Sequence, residues 1–470
     1  MMQTAHWRTA QTRPETHAAA TQASRAARPA AYTRHMAPDA KLATRDAAGL
    51  PAADSAQTPQ AECIRHGTAA FRRVNAAMFA AGLSTFGLLY CVQPLMPAFS
   101  AHYAVSAAVS AMSLSLTTGI LAIAMLFAGA VSDRLGRARV MNFALLSSAV
   151  LVLLSAAAPG WHALLLCRAL LGLTLSGLPA VAMTYLSEEM HADSIGLGMG
   201  LYIGGSAIGG MGGRLLAGVA ADFWGWRIGI AAVGTSGLLA ALVFARTLPP
   251  SRHFQARALD LRALAARCTG LFRDAALPWL FAQGFLLLGA FVTVYNYLGY
   301  RLMAAPYHLS QADVGLIFTL YLVGTFSSAW MGQLAGRVGR RRVLWTAFVL
   351  MLVGVALTLP GSLWLIGLGV ALLTFGFFGG HSIVSSWVGR RAGAAKAQAA
   401  ALYLFAYYLG SSVAGASGGL FYADWGWNGV AAFAGALVLL GLVVALHLYR
   451  IAPLSSTATP RAAMSRGAMP

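Results

Sequence analysis

The 470-residue chain is 58% hydrophobic and 10% charged, with a mean hydropathy of +0.66 and a formal net charge of +19. Soluble domains carry about 25% charged residues, so this composition excludes a soluble globular protein and leaves a membrane protein. The net charge invites a nucleic-acid reading, which the placement of the arginines excludes.

Residues 1–71 are rich in Ala, Arg, Thr and Pro without an apolar period and read as a disordered cytoplasmic tail. The first apolar run begins too late for a secretory signal. Twelve runs long enough to cross a bilayer as helices follow. They are 75–98, 106–130, 139–158, 162–187, 195–221, 228–248, 277–299, 311–335, 341–360, 362–388, 396–422 and 428–449. The first six make an N-terminal half, 72–248, and the last six a C-terminal half, 277–450. The linker between them, 249–276, carries Arg252, Arg257, Arg262, Arg267 and Arg273 with leucines interleaved. That is the pattern of an amphipathic helix on the cytoplasmic surface. Residues 451–470 form a C-terminal cytoplasmic tail.

Of the 33 Lys and Arg, 29 fall on one alternating set of segments: the two tails, the linker, and the loops after the second, eighth and tenth runs. This positive-inside pattern places both termini in the cytoplasm. Basic loops beside a bilayer attract anionic headgroups, so no nucleic-acid partner is needed. Cys63, Cys91, Cys167 and Cys268 lack metal spacing and are expected as free thiols, with no metal site.

The chain repeats itself. The loop from Gly129 to Val140, with Asp133, Arg134, Gly136 and Arg137, returns 203 residues later from Gly332 to Val343, with Gly336, Arg337, Gly339 and Arg340. Trp224-Gly225-Trp226 returns as Trp425-Gly426-Trp427, 201 residues on. One half used twice in a membrane protein points to a transporter. No stretch resembles a nucleotide-binding loop, so ATP is not expected as the driver. No nucleophile–base pair or metal cluster lies in the helices, so an enzyme is not expected.

The Gly129–Val140 loop, with Gly129, Asp133, Arg134, Gly136 and Arg137 in register, resembles the signature between helices 2 and 3 of the major facilitator superfamily. The resemblance covers about residues 72–450. Arg168 with Gly172 is similar to the helix 4 arginine motif of proton-coupled members. Gln93-Pro94 and the run Gly205, Gly209, Gly210, Gly213, Arg214 resemble the drug:proton antiporters grouped around acriflavine sensitivity. The antiporter motif has proline where this chain has Gly210, a departure that bears on antiport and not on the fold. The resemblance implies an all-α membrane protein, with twelve transmembrane helices in two six-helix halves of the major facilitator fold. It implies a monomer in the bacterial inner membrane, without a cofactor, driven by the proton gradient.

The residues carry their own readings. Gly205, Gly209 and Gly213 are four apart, which lets another backbone approach one helical face; the result is either static packing or a surface on which the halves rock. Arg134 and Arg137 can reach Glu188 and Glu189 at the end of helix 4. The repeat sets Glu188 and Glu189 against Arg390 and Arg391, 202 residues later. These clusters, with Arg340 nearby, are expected to face each other when the cytoplasmic side closes.

All fourteen acidic residues lie in tails, loops or helix ends. The charges within the membrane are therefore Arg168 and Arg214, about seven and eight residues from the outer ends of their helices, or ~10–12 Å deep. Either they bond carbonyls, Gln93 and Tyr90, or they attract an anionic substrate. Buried charges are functional candidates by default. His381 is a coupling candidate beside Arg168, because histidine titrates near neutral pH; the plainer reading is a neutral ring bonded to a hydroxyl. Candidates for the substrate cavity are Tyr90, Gln93, Arg168, Arg214, Thr293, Asn296, Tyr297, Tyr403 and Tyr407. Trp161, Trp224, Trp226, Trp425 and Trp427 read as interfacial anchors. The expected function is proton-coupled export of small, drug-like organic compounds by alternating access. The alternatives are transport of an organic anion or neutral metabolite, and a non-transporting sensor or scaffold on the same fold.

Overall fold

The computed structural model describes residues 63–254, 256 and 261–451. These form fifteen α-helices. The first eight are α1 (Ala69–Tyr90), α2 (Met96–Tyr103), α3 (Ala107–Leu135), α4 (Arg137–Ala156), α5 (Trp161–Leu175), α6 (Pro179–Glu189), α7 (Ala192–Trp224) and α8 (Trp226–Thr247). They are followed by α9 (Leu261–Leu271), α10 (Leu277–Met303), α11 (Gln311–Leu316), α12 (Tyr321–Val338), α13 (Arg340–Leu357), α14 (Leu363–Arg391) and α15 (Lys396–Arg450).

The twelve crossings are all present, several of them interrupted. The first bends through a 3-10 turn at Gln93–Leu95 between α1 and α2, where Pro94 and Pro97 remove backbone donors. The fourth breaks between α5 and α6 at Pro179. The eighth runs through α11, a 3-10 turn at Ile317–Leu320 and α12. The last two run together in α15 and part at Gly426. Nine described stretches are long and apolar enough to cross a membrane, and one of them, Gly393–Arg450, holds two crossings. The two others that fall short are α7, diluted by glycine, and α13, which opens on Arg340, Arg341 and Arg342.

The sequence repeat is a repeat of backbone conformation. Gly136 and Gly339 turn the chain between α3 and α4 and between α12 and α13, with φ +98° and +108°. Gly225 and Gly426 do so before the sixth and twelfth crossings, with φ +85° and +56°. L-residues with a Cβ rarely adopt this region, so each loop signature is built around its glycine. The flanking tryptophans also share fates. Trp224 and Trp425 are exposed, whereas Trp226 and Trp427 are buried. Trp226 packs against Phe99 and Tyr103, and Trp427 donates to Thr358 Oγ1. The expected interfacial role therefore fails for these two, which have tertiary partners.

Arg227 and Arg301 sit beside these buried rings, 4.4 Å and 5.1 Å from their centroids. Arg227 donates to the carbonyls of Ala156 and Ala158. Arg301 donates to those of Thr358, Leu359 and Pro360. Both complement the carbonyl ends of α4 and α13, where a cation is favourable.

The expected tail, 1–71, lies outside the described residues as far as 62, and 452–470 of the second tail does so too. The remainder of the first tail is held. Ile64 N–H donates to Glu189 O, and His191 N–H donates to Ile64 O. Thr68 then caps α1, which begins at Ala69, before the expected boundary.

Candidate functional site

The two buried arginines do different work. Arg168 is fully buried. Its Nε donates to Ser113 O, and its two Nη donate to Leu88 O and Leu89 O, at 2.9, 3.2 and 2.5 Å. Leu88 and Leu89 lie in the last turn of α1, just before the break at Pro94. Carbonyls at a helix end lack intrahelical partners, and Arg168 supplies them. It is thus a cap on α1, spent on backbone, the carbonyl-bonding alternative of the two open to it, and not a group facing the cavity.

Arg214 faces the interior between the first six crossings and the last six. Its Nε donates to Gln93 Oε1 at 2.7 Å and its Nη1 to Gly210 O at 2.6 Å. The guanidinium lies over the rings of Tyr90, Phe318 and Tyr321, at 4.2, 4.9 and 4.8 Å from their centroids. No carboxylate among the described residues pairs with it. Ring faces are electronegative and attract the cation, so aromatic rings stand where an acid would.

Gln93 extends this arrangement across the molecule. Its Nε2 donates to Asn296 Oδ1 at 2.8 Å. Further out, Tyr300 Oη bonds Ser100 Oγ and Met96 O. Gln311 N–H donates to Asp222 Oδ1 at 3.1 Å, and its Nε2 donates to Pro94 O. Beside them Gly218 of α7 packs on Gly315 of α11, backbone against backbone. Ser412 Oγ donates to Ser115 O at mid-depth. Every described hydrogen bond between the two sets of helices thus lies at mid-depth or on the side away from the signature loops.

Deeper toward the signature loops, aromatic rings of the last six crossings pack together in a cluster around His381. Phe291 stacks on Phe377 with centroids 3.9 Å apart. His381 Nδ1 bonds Tyr403 Oη at 2.8 Å, and Tyr407 lies 4.8 Å from the His381 ring. His381, Tyr407 and Phe378 are half-buried, whereas Tyr403 is buried and wedged against Gly284. Thr293 and Tyr297 lie outside this cluster. Thr293 Oγ1 donates to Gly289 O and Ala414 O, and Tyr297 Oη donates to Gly415 O. Both are buried where α10 packs on α15, on a face that counting from Asn296 does not distinguish.

At the signature loop Arg137 is clamped by acids. It pairs with Asp133 Oδ1 at 2.5 Å and holds Glu188 through Nε and Nη2 at 3.2 and 2.9 Å. Glu189 is instead held by the linker, accepting from His253 N–H at 2.9 Å with His253 Nδ1 3.1 Å away. Arg134 is exposed and makes no ion pair among the described residues. Arg391 pairs with Asp274 at 2.6 Å, and Arg340 Nε donates to Ser386 Oγ at 3.0 Å. Glu188 and Glu189 do not meet Arg390 and Arg391 in this conformation.

The family model for the Major Facilitator Superfamily matches residues 77–301 and 293–468. The chain belongs to this superfamily. It is 49% identical to the inner membrane transport protein YnfM of Escherichia coli, over 86% of this chain and 97% of that protein. It is 44% identical to YybF, an MFS-type transporter of Bacillus subtilis, over 82% and 96%. A crystal structure of the nucleoside transporter NupG shares the fold, with a TM-score of 0.66 and 16% identity over 80% of this chain and 100% of that one. The chain is therefore a multi-pass membrane transporter of the major facilitator type.

In this major facilitator protein several interior residues escape a search by charge. Phe318 and Tyr321, whose rings lie against Arg214, are three apart on the eighth crossing. Phe291, Tyr295, Phe377 and Phe378 continue the aromatic cluster. Helical spacing of the aromatics is the signal that would have found them, and it does not separate a cavity wall from packing.

Proposed function

We propose that this chain is a secondary active transporter of the bacterial inner membrane, seen with its cytoplasmic side open. The carrying observation is the placement of the bonds between the two sets of helices, which close one side alone. The positive-inside rule makes the signature-loop side cytoplasmic, so the closed side is the outer one. Rocking of the halves would break Gln93–Asn296 and Tyr300–Ser100 and expose the interior between the halves outward.

The transported compounds are small, largely apolar organic molecules that stack on the aromatic walls. Arg214, with no described acid partner, favours an organic anion or a neutral metabolite over an organic cation. Proton coupling through His381 and export are parts of this reading. His381 supports the first by its half-buried place among the aromatic rings, and the glycine-rich α7 supports the second by its likeness to antiporters. A thermal-unfolding panel of aromatic carboxylates and lipophilic cations tests the substrate class. A ligand at 100 times its Kd adds about 2.7 kcal/mol of stability. Anions should stabilise the wild type and lose that effect in Arg214→Gln. Stabilisation by cations alone would return the protein to the drug-exporter reading.

A further inference from the structure

The two copies of the loop signature differ in their acids. In the first copy Asp133 and Glu188 neutralise Arg137. The counterpart of Arg137 is Arg340, and at the positions of Asp133 and Glu188 stand Gly336 and Arg390. Arg340 therefore has a serine hydroxyl where Arg137 has two carboxylates. Arg390 lies close enough to oppose its charge. Among the described residues Asp274 is the acid that reaches this cluster, and it holds Arg391.

The local backbone deepens the imbalance. Arg340, Arg341 and Arg342 fill the first turn of α13, and no side chain caps that end. The N-terminus of a helix carries partial positive charge, so three cations there oppose the dipole. Unbonded N–H groups at such an end bind anions. A cavity of ≈ 750 Å³ opens among these three arginines, Arg390 and Arg391, with Tyr449 on its wall. Beside it α15 exposes Val443, Leu446 and Tyr449, three residues apart and so on one helical face.

We propose that this cavity binds the phosphate of an anionic phospholipid, which takes the place that Asp133 and Glu188 fill in the first copy. Arginine forks match phosphate oxygens in pairs. Basic pockets between helix ends on the cytoplasmic side suit anionic headgroups. The exposed stripe on α15 offers an apolar path for an acyl chain, which a soluble phosphate would not use. This proposal stands on the loop asymmetry and is independent of the substrate reading.

The test is thermal unfolding of the purified full chain titrated with phosphatidylglycerol, phosphatidylcholine or inorganic phosphate. Phosphatidylglycerol should stabilise the wild type saturably, and phosphatidylcholine should not. The double variant Arg340→Gln/Arg390→Gln should need at least tenfold more phosphatidylglycerol, about the effect of one lost charge-assisted pair. Arg262→Gln/Arg267→Gln, which removes two exposed charges from α9, should respond as the wild type. Equal responses from both double variants would overturn the site. A full effect from inorganic phosphate would overturn the lipid assignment. If the glutamine variant does not fold, native mass spectrometry of the wild type decides: retained phosphatidylglycerol, displaced by excess of the same lipid and not by phosphatidylcholine, supports the site, and none retained sinks it.

Discussion

Arg168 and Arg214 enter the membrane to similar depth, and their hydrogen bonds separate their roles. Arg168 donates to three carbonyls and has no exposed surface. Replacing it with glutamine should cost about 1–3 kcal/mol by leaving carbonyls of α1 unpaired, read as a lower unfolding temperature. Ligand binding should survive in whatever fraction remains folded, opposite to the outcome for Arg214→Gln. His381, bonded to Tyr403, makes a different prediction. Its glutamine variant should keep substrate exchange and lose uptake or efflux driven by a pH gradient; full pH-driven flux in that variant would place coupling elsewhere. Asp274 makes a third. Burial opposes its ionisation, but hydrogen bonds from Arg391 and from the N–H groups of Ala276 and Leu277 outweigh it and hold its pKa below the ordinary 3.8. A depressed folded-state value stabilises above the unfolded value and is lost as pH falls through the folded one. Asp274→Asn should therefore lower stability at pH 7 by about 1–3 kcal/mol, and the gap to wild type should close below about pH 4. A gap that persists at acidic pH would mean the loss is steric.

At the scale of elements, the glycine periodicity of α7 divides into faces. Gly205, Gly209 and Gly213 press against the backbone of Phe79, Leu83 and Gly87 in α1. These are contacts within one six-helix set and do not form a surface between the two. Gly218, one turn further, is the glycine that meets the other set, at Gly315. Gly196, Gly200, Gly204 and Gly212 have open space before them. Gly209→Ala should thus destabilise by about 1–3 kcal/mol through overpacking. Gly212→Ala should be neutral or stabilising by up to about 1 kcal/mol, from helix propensity. Equal effects in thermal unfolding would contradict this packing. The four-residue spacing was legible in the sequence. Which file of glycines met a neighbour was not, because every helical face of such a segment is small and apolar.

For the whole molecule, the polar contacts on the side away from the signature loops are what the proposed rocking must break. Cysteines at Gln93 and Asn296 should cross-link in the resting protein and arrest transport until reduced. Ready reaction of both with a membrane-impermeant outer reagent would mean the resting state opens outward. On the other side, Glu188 and Glu189 are held by Arg137 and His253, and Arg391 by Asp274. Closing that side would exchange partners and bring the acids to Arg390 and Arg391. An exchange of ion-pair partners leaves each charge paired in both states, compatible with a gate that reopens. Charge reversal of both glutamates should leave cysteines introduced beside His381 accessible from the cytoplasm throughout the cycle. Normal protection by substrate or gradient in that variant would remove these clusters from the gate.

The sequence by itself determined the membrane class, the twelve crossings, the duplication and the loop signature. Each follows from a local property: apolar length, charge placement, or a glycine that alone allows a positive φ. It also made Arg214 and Gln93 candidates, since a charge or amide within an apolar run stands out. Only the tertiary structure decided that Arg168 caps α1, that Thr293 and Tyr297 face α15, and that Phe318 and Tyr321 lie against Arg214. These depend on which neighbours a helical face meets. Apolar and aromatic residues fit lipid, core and cavity alike, so their spacing leaves that choice to packing.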